Sequence, residues 1–158
     1  LKVMLSYEYL WTNIRVKGGA YGCMSGFRRT GDGFLVSYRD PHLKNTLEGF
    51  QKTGDFIRSF DAEEREMTKY IIGTISELDA PLTPSAKGSV SLNAWFSGIT
   101  REDMQKERDE ILDAQPADIR NLAGIVDAIV GQNRICVIGS EEKIQQDKEV
   151  FKEIKHLL

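Results

Sequence analysis

A glycine pair between a helical pattern and an alternating pattern constrains this chain more than any other feature of its sequence. Upstream of the pair, apolar residues recur at roughly helical spacing and predict an amphipathic helix that carries Arg15 in its last turn. Gly18 and Gly19 can adopt positive φ values without steric cost, so we expect the helix to end there. Because a strand is expected to begin near Tyr21, Arg15 and Tyr21 are predicted to face one space. The apolar positions of the helix are Leu1, Met4, Leu5, Tyr9, Trp11 and Ile14.

Downstream, turn signals separate apolar patterns that predict a hairpin, several helices, one more strand and a last helix. The hairpin strands are predicted at 22–30 and 33–39, joined at Gly31 and Asp32. Thr100 begins a capping-box pattern, and Asp61 is the expected N-cap of an earlier helix. The other predicted elements are a helix over 43–60 interrupted near Gly54, a helix from Asp61 to Leu78, a helical turn or two over 90–96, helices over 100–116 and 116–131, a strand over 134–139, and a final helix from Ser140 to Leu158.

This order of elements predicts an α+β fold, with an antiparallel sheet and helices packed on one face, rather than a doubly wound parallel sheet. A length of 158 residues fits a single domain over residues 1–158. Three strands make a thin sheet, and the helical pattern is already under way at Leu1, which is not an initiator methionine. We therefore expect a domain truncated at its N-terminus, with further strands and further functional residues in a longer polypeptide.

The composition is that of a globular domain and excludes several classes of partner. Hydrophobic residues make up 41% of the chain, yet no apolar run approaches the roughly 20 residues that cross a bilayer. A net charge of −3 gives no overall attraction to nucleic acid, so neither a membrane nor a nucleic acid is expected as a partner. Cys23 and Cys136 both lie in apolar, strand-like contexts that favour buried free thiols and a reducing compartment.

The sequence predicts no metal site in this chain. A zinc peptidase needs two histidines on one helix face and a carboxylate, whereas His42 and His156 lie far apart and outside any such motif. Glycine-rich phosphate loops lead into a helix N-terminus, but Gly18 and Gly19 follow a helix C-terminus, whose partial negative charge disfavours phosphate. Cys23 has no histidine nearby in sequence to act as its base, which favours a packed thiol over a nucleophile.

Arg15 and Tyr21 allow two interpretations. In the first, Arg15 is a cation that completes a helix C-terminus, and Tyr21 is an aromatic residue that fills a strand. In the second, both side chains donate hydrogen bonds to a peptide carbonyl and to the oxyanion that develops from it during hydrolysis. Spacing alone leaves both interpretations open.

Four sequence blocks resemble the presequence-protease branch of the pitrilysin/insulinase zinc metallopeptidases. They occur in the family's order and span nearly the whole chain. The blocks are Arg15 to Gly22; Ser37, Tyr38, Arg39, Asp40 and Pro41; Ile71, Ile72, Gly73, Thr74 and Ile75; and Asp79, Ala86, Lys87 and Gly88.

The resemblance implies a clamshell enzyme of two halves that encloses short or unfolded peptides, with this chain as its last domain. It implies that an inverted zinc motif and the catalytic glutamate lie in the N-terminal half of the same polypeptide. Zinc would then be bound outside this chain. Arg15 and Tyr21 match the two residues that reach the substrate, so they are the implied catalytic residues, and Gly18 and Gly19 match the hinge between them, an implied substrate-binding segment.

On this interpretation the parent protein is a zinc metalloendopeptidase and the fragment alone is inactive. The expected partners are peptide substrates and the N-terminal half of the same polypeptide. The compartment is unknown from the sequence: the cytoplasm is expected for a bacterial parent and an organelle matrix for a eukaryotic one. The alternative is a non-catalytic peptide-binding or scaffold domain of the same fold, in a parent whose zinc motif has decayed.

Overall fold

The computed structural model describes residues 1–156. The chain folds into two compact units. The first comprises residues 1–59 together with the segment that begins at Leu122, and the second comprises Phe60–Asn121. Across the described residues, no helix combines the length and the apolar character that crossing a lipid bilayer requires.

The first unit contains a hairpin of two antiparallel strands, β1 (Gly22–Phe27) and β2 (Gly33–Tyr38). The turn closes through a hydrogen bond of 2.8 Å from the Arg28 N–H to the Asp32 carbonyl, and Gly31 adopts a φ of +88°. The predicted hairpin and turn position are confirmed. β1 ends before its predicted boundary, because the residues from Arg28 to Asp32 bond to one another within the turn. β2 begins where predicted and ends one residue early, at Tyr38, next to Arg39 with its positive φ of 49°.

The first helix begins as an α-helical turn, α1 (Lys2–Met4), and continues as a π-helix (Leu5–Val16). The Lys17 N–H bonds the Thr12 carbonyl at 3.0 Å, five residues back, so the turns are wider than those of an α-helix. The predicted helix is present, but its buried positions recur every four to five residues. These positions are Leu5, Tyr9, Leu10 and Ile14.

The π-helix packs against β1, and this contact forms much of the core of the first unit. Leu5, Leu10 and Ile14 are fully buried, and each such side chain stabilises the fold by about 1.5–3 kcal/mol. The Tyr9 hydroxyl donates a hydrogen bond of 2.7 Å to the Gly49 carbonyl, which ties the π-helix to the helix that contains Gly49. Burial raises the pKa of Tyr9, with Asp55 as a second cause.

The first unit contains four further α-helices, of which α2 (Leu43–Gln51) contacts the π-helix and α8 (Ala123–Gly131) contacts β2. The predicted break in the helix after β2 is confirmed, but it lies at Lys52 rather than at Gly54. Gly54 serves a different purpose, because a Cβ at that position would collide with the Asp127 carboxylate. Close packing of two helices explains the glycine. The other two α-helices of this unit are α3 (Thr53–Arg58), which packs on α8, and α9 (Glu141–Gln146).

The second unit is helical throughout its regular structure, with α4 (Glu64–Leu78), α5 (Pro84–Phe96), α6 (Arg101–Leu112) and α7 (Pro116–Asn121). The capping box of α6 is confirmed. The Asp103 N–H donates to Thr100 Oγ1 at 3.1 Å, and the Thr100 N–H donates to Asp103 Oδ2 at 2.9 Å.

Two predicted helix starts in the second unit are wrong. The cap of α4 is Glu63 rather than Asp61, because Asp61 instead lies 3.8 Å from the Arg120 guanidinium in an ion pair. Helix α5 begins at Pro84, well before the predicted residue 90. Proline is favoured at the first helical position, and the Thr83 hydroxyl accepts a hydrogen bond from the Ala86 N–H.

The chain after residue 115 differs most from the prediction. The helix predicted over 116–131 is divided at Leu122 into α7 and α8. The predicted strand at 134–139 is wrong: the segment is irregular, the described residues offer it no partner strand, and Ile138 is 81% exposed. The final helix ends at Gln146 and is followed by a 3₁₀ turn, Lys148–Val150; its predicted end at Leu158 lies outside the described residues.

The predicted α+β class, with helices packed against an antiparallel sheet, is confirmed. The sheet of the described region has two strands where the sequence predicted three.

Candidate functional site

Arg15 is placed by an unusual helix ending. It lies in the last turn of the π-helix. The Gly19 N–H donates to the Arg15 carbonyl at 2.9 Å, and the Ala20 N–H donates to the Ile14 carbonyl at 3.2 Å. Each of these bonds spans one residue more than in the glycine cap of an α-helix, as a wider helix requires. The carbonyls of Ile14 and Arg15 are thus satisfied where the chain leaves the helix.

Gly18 and Gly19 are both required by this ending, but for different reasons. Gly19 has a φ of +81°, in the left-handed region that side chains disfavour, and so uses the conformational freedom that the sequence offered at this position. Gly18 does not have a positive φ. Gly18 instead lies against the helix end: a Cβ there would come within 2.5 Å of the Ile14 carbonyl oxygen.

Tyr21 follows the cap and directly precedes β1. Its N–H donates to the Arg39 carbonyl at 3.2 Å, which extends the hairpin ladder by one bond. The Tyr21 ring lies edge-on to the Tyr38 ring, with centroids 5.5 Å apart, and the Arg39 guanidinium lies 5.3 Å from the Tyr21 ring centroid. The side chain is nevertheless 58% exposed. The ring is therefore held by neighbours, while its hydroxyl bonds to no other residue that the structure describes.

The register of the hairpin places Tyr38 opposite Gly22. A Cβ at Gly22 would overlap the Tyr38 ring and would lie 2.6 Å from its hydroxyl oxygen. The glycine thus allows the ring to lie flat across β1, a cross-strand arrangement in which an aromatic side chain covers a glycine. This arrangement places Tyr38 beside Tyr21.

Arg15 and Tyr21 line the same cavity, of about 300 Å³. The sequence-based expectation that they face one space agrees with this placement. Gly18 and Gly19 support the cavity from the backbone and do not line it. The full lining consists of Trp11, Arg15, Tyr21, Gly22, Cys23, Met24 and Tyr38.

Arg15 supplies the charged group in the lining of this cavity, and its guanidinium stacks on the indole of Trp11. The Arg15 Cζ lies 3.8 Å from the centroid of the Trp11 ring. No carboxylate within residues 1–156 forms an ion pair with Arg15. The guanidinium therefore retains hydrogen-bond donors for a ligand, since a stacked face does not occupy the N–H groups at its edge.

The surroundings of the Cys23 thiol raise its pKa and so favour the protonated form. Burial raises its pKa, the positive charge of Arg15 acts in the opposite direction, and the negative charge of Asp40 raises it further. A nucleophilic cysteine needs the reverse, a pKa lowered by nearby cations or a base. The raised pKa agrees with the prediction of a packed thiol.

Asp40 organises the chain that follows β2. One carboxylate oxygen accepts the His42 N–H at 3.0 Å and the other accepts the Thr46 hydroxyl at 2.6 Å. These bonds hold the segment just after Arg39, which has a positive φ of 49°. Asp40 is thus a structural residue next to the cavity, and His42 occupies the position before α2.

Within the described residues, no three histidine, cysteine or acidic side chains are grouped so that they could hold a metal ion. The His156 imidazole lies 3.9 Å from the Glu141 carboxylate at an exposed position. A larger concavity of about 760 Å³ belongs to the second unit and is lined by residues of α6 and of the segment after it, most of them acidic, such as Glu102, Asp109 and Asp118. These are exposed helix-face residues, with no metal-binding arrangement.

Sequence reasoning missed three lining residues, namely Trp11, Met24 and Tyr38. Trp11 was grouped with the core face of the first helix, but it is 48% exposed and lies over Arg15. Its position four residues before Arg15 was the available signal, because residues four apart on a helix lie on the same side. Met24 and Tyr38 depend on the hairpin register, which the sequence pattern does not specify.

The arrangement can donate hydrogen bonds to an oxygen atom that carries or develops negative charge. A guanidinium is permanently charged, and a phenol can donate one further bond. The groups that line the cavity can therefore bind and polarise a carbonyl oxygen.

Comparison with known proteins identifies the family and the proteins to which this chain is similar. A sequence profile described as the PreP C-terminal domain matches residues 1–141. The chain is 45% identical over 158 residues to Protein HypA of Clostridium perfringens. The aligned region covers 100% of this chain and 16% of that protein.

Two relatives carry names that state an activity. Presequence protease 1, chloroplastic/mitochondrial, of Arabidopsis thaliana is 37% identical over 158 residues, covering 98% of this chain and 15% of that protein. The mitochondrial presequence protease of Aspergillus oryzae is 34% identical over 153 residues, covering 96% of this chain and 15% of that protein. The chain thus spans about 15% of the length of these curated relatives.

Proposed function

Because the chain belongs to the PreP C-terminal domain family, the family of the presequence proteases, we propose that Arg15 and Tyr21 bind and polarise the scissile carbonyl of a peptide substrate. The resemblance derived from the sequence blocks is thereby confirmed at the level of the family. The proposal extends it to residue roles. The parent protein would be a zinc metalloendopeptidase that degrades short or unfolded peptides, with this chain as one half of a composite site.

One observation carries the proposal: Arg15 and Tyr21 line one cavity with donors that no described residue occupies. When water adds to a peptide carbonyl, the carbonyl oxygen becomes an anion and the carbon becomes tetrahedral. Donors fixed beside that oxygen stabilise the transition state more than the substrate, which lowers the barrier. A fixed cation and a phenol on either side of a rigid cap suit this task.

The proposed division of labour rests on the family of this chain and on the hydrogen-bond donors that line its cavity. The zinc ion, bound in the N-terminal half of the same polypeptide, would supply the activated water together with a general base there. Arg15 and Tyr21 would hold the carbonyl and stabilise the oxyanion, and Gly18 and Gly19 would keep the backbone between them in place. By analogy with other oxyanion donors, each would lower the barrier by about 2.7–4 kcal/mol.

The same proposal covers domain organisation, partners and compartment. We treat residues 1–158 as a single C-terminal domain of the parent peptidase, inactive alone. Its partners would be peptides and the N-terminal half of the polypeptide. The two presequence proteases compared above are named for mitochondria or chloroplasts, so an organelle matrix is proposed for a eukaryotic parent and the cytoplasm for a bacterial one.

The test is peptide hydrolysis by the full-length parent protein, with a quenched fluorescent peptide as substrate. Arg15→Ala and Tyr21→Phe should each lower kcat/KM by about 10²–10³-fold. Tyr7→Phe is a matched control, because Tyr7 lies on the same helix, is well exposed and does not line the cavity.

Unchanged kcat/KM in Arg15→Ala and Tyr21→Phe would refute the assignment. A loss in Tyr38→Phe instead of Tyr21→Phe would move the phenol role to the neighbouring ring. A wild-type parent without hydrolysis, but with measurable peptide binding, would support the alternative of a non-catalytic peptide-binding or scaffold domain.

A further inference from the structure

The stacking of Arg15 on Trp11 is the most specific contact at the cavity. The guanidinium carbon lies 3.8 Å from the indole centroid, well inside the roughly 6 Å within which a cation is attracted to a ring face. Trp11 also lines the cavity and remains half-exposed. The indole therefore contacts both the cation and the space in which a ligand would lie.

Packing of the helix does not account for this tryptophan. The neighbouring positions Leu10 and Ile14 are fully buried and supply the core contact with β1. Trp11 points elsewhere, although a large aromatic side chain gains most by burial. Its main defined contact is with the cation.

Within residues 1–156, the indole of Trp11 is the defined side-chain contact of the Arg15 guanidinium. No carboxylate of the described residues forms an ion pair with Arg15. A free arginine side chain has a large rotamer entropy, so without a neighbour it would occupy many orientations. The indole face is what limits these orientations to one plane.

We infer that Trp11 is a positioning residue, which holds the Arg15 guanidinium so that its N–H edge stays available to a substrate carbonyl. This inference rests on the proposed function of Arg15. The stack covers one face of the guanidinium, leaves its edge free and excludes water from the covered face. Arg15 is then oriented before the substrate arrives, and less ordering remains to be done in the transition state.

The expected kinetic signature is a loss in kcat with little change in KM. If Arg15 acts mainly on the developing oxyanion, disorder in Arg15 weakens an interaction made in the transition state and not one made with the bound substrate. A cation–π contact contributes about 0.5–2 kcal/mol, so its removal should lower kcat by about 2-fold to 30-fold. The loss should be smaller than that caused by removing Arg15.

The experiment is a double-mutant cycle in the full-length parent protein, with the same fluorescent peptide. Trp11→Leu removes the ring, and Trp11→Phe keeps a smaller ring. Both are measured alone and together with Arg15→Ala. Tyr7→Leu is the control, because it removes an exposed aromatic residue of the same helix that does not contact Arg15. Thermal unfolding of every variant identifies any loss of fold.

Three results would support the inference together. Trp11→Leu should lower kcat, Trp11→Phe should lower it less, and neither substitution should have a further effect once Arg15 is alanine. Tyr7→Leu should leave kcat unchanged.

Other outcomes overturn it in distinguishable ways. Equal losses for Trp11→Leu with and without Arg15 would show that Trp11 acts independently of Arg15, by contacting the substrate or by supporting the fold. Unchanged kcat in Trp11→Leu, with a loss in Arg15→Ala, would refute the positioning role and leave the proposed function intact. No loss in Arg15→Ala would refute the proposed function itself. If Trp11→Leu does not fold, Trp11→Phe decides the question through the same cycle.

Discussion

We expect Gly18→Ala to destabilise the chain, which is the opposite of the usual effect of replacing glycine by alanine near a helix. Gly→Ala in or near a helix normally stabilises a protein by about 0.5–1 kcal/mol, because alanine has less backbone freedom to lose. At Gly18 the added Cβ would lie 2.5 Å from the Ile14 carbonyl oxygen and 3.1 Å from the Asn13 carbonyl oxygen. Both are backbone atoms that no side-chain rotation can move.

The magnitude follows from the displacement that this contact requires. Real Cβ contacts are essentially never below 3.0 Å, so the helix end must shift by about 0.5 Å from its present 2.5 Å separation. That shift disturbs the bonds from Gly19 and Ala20 to the last helical carbonyls. Overpacking of this kind costs about 1–3 kcal/mol. We therefore expect Gly18→Ala to lower the free energy of unfolding by about that amount.

Urea denaturation of the 158-residue chain, followed by far-ultraviolet circular dichroism, measures this change. Gly124→Ala is the matched control, because Gly124 lies in α8 of the same unit with no atom within 4 Å of an added Cβ. It should be neutral or stabilising. A Gly18→Ala variant as stable as Gly124→Ala would refute the steric argument and the geometry of the cap.

Three further predictions follow from other parts of the chain. Thr100→Ala removes the side-chain bond of the α6 capping box and should destabilise the second unit by about 0.5–2 kcal/mol in urea denaturation, whereas Thr100→Ser should retain most of the stability. Burial raises the pKa of the Cys23 thiol, so the folded state keeps this proton at pH values where the unfolded chain has lost it. This contribution to stability is complete below pH 9.0, the ordinary pKa of the thiol, and should fall as the pH rises above it. Cys23→Ala should remove this pH dependence from unfolding curves. The isolated chain should not hydrolyse peptides in the presence of zinc, and hydrolysis should appear on mixing with the separately produced N-terminal half of the parent; activity of the isolated chain would contradict the composite site.

The candidate site was predictable because its geometry is local in sequence. Only five residues separate Arg15 from Tyr21, and the glycine pair between them is a recognisable helix-ending signal. The hairpin that follows depends on alternation and turn residues, which are also local signals. Both were found at nearly their observed places.

The errors arose where a pattern has more than one structural solution. The apolar run at 134–139 has the composition of a strand, but a strand needs a neighbour, and the described residues supply none. Helix α5 begins at Pro84 rather than at the predicted residue 90, because proline, which is typical of loops, is also favoured at the first position of a helix. The π-helix was not anticipated, because a spacing of four to five residues over a short segment is easily taken for the 3.6-residue period of an α-helix.

The cap and the indole constrain the two candidate catalytic side chains in different ways, and this difference ties the two proposals together. The backbone from Ile14 to Tyr21 carries both Arg15 and Tyr21, so a change at Gly19 displaces the two donors together. Trp11 stacks on the Arg15 guanidinium, whereas Tyr21 is held by Tyr38, so removal of the indole should release one donor and leave the other in place. In a protein that already carries Gly19→Ala, both Arg15→Ala and Tyr21→Phe should therefore cause a smaller loss of kcat/KM than in the wild type. In a protein that carries Trp11→Leu, only the loss caused by Arg15→Ala should be smaller. If Trp11→Leu reduced both equally, the indole would be supporting the cap itself, and Arg15 and Tyr21 would have to be treated as a single rigid unit.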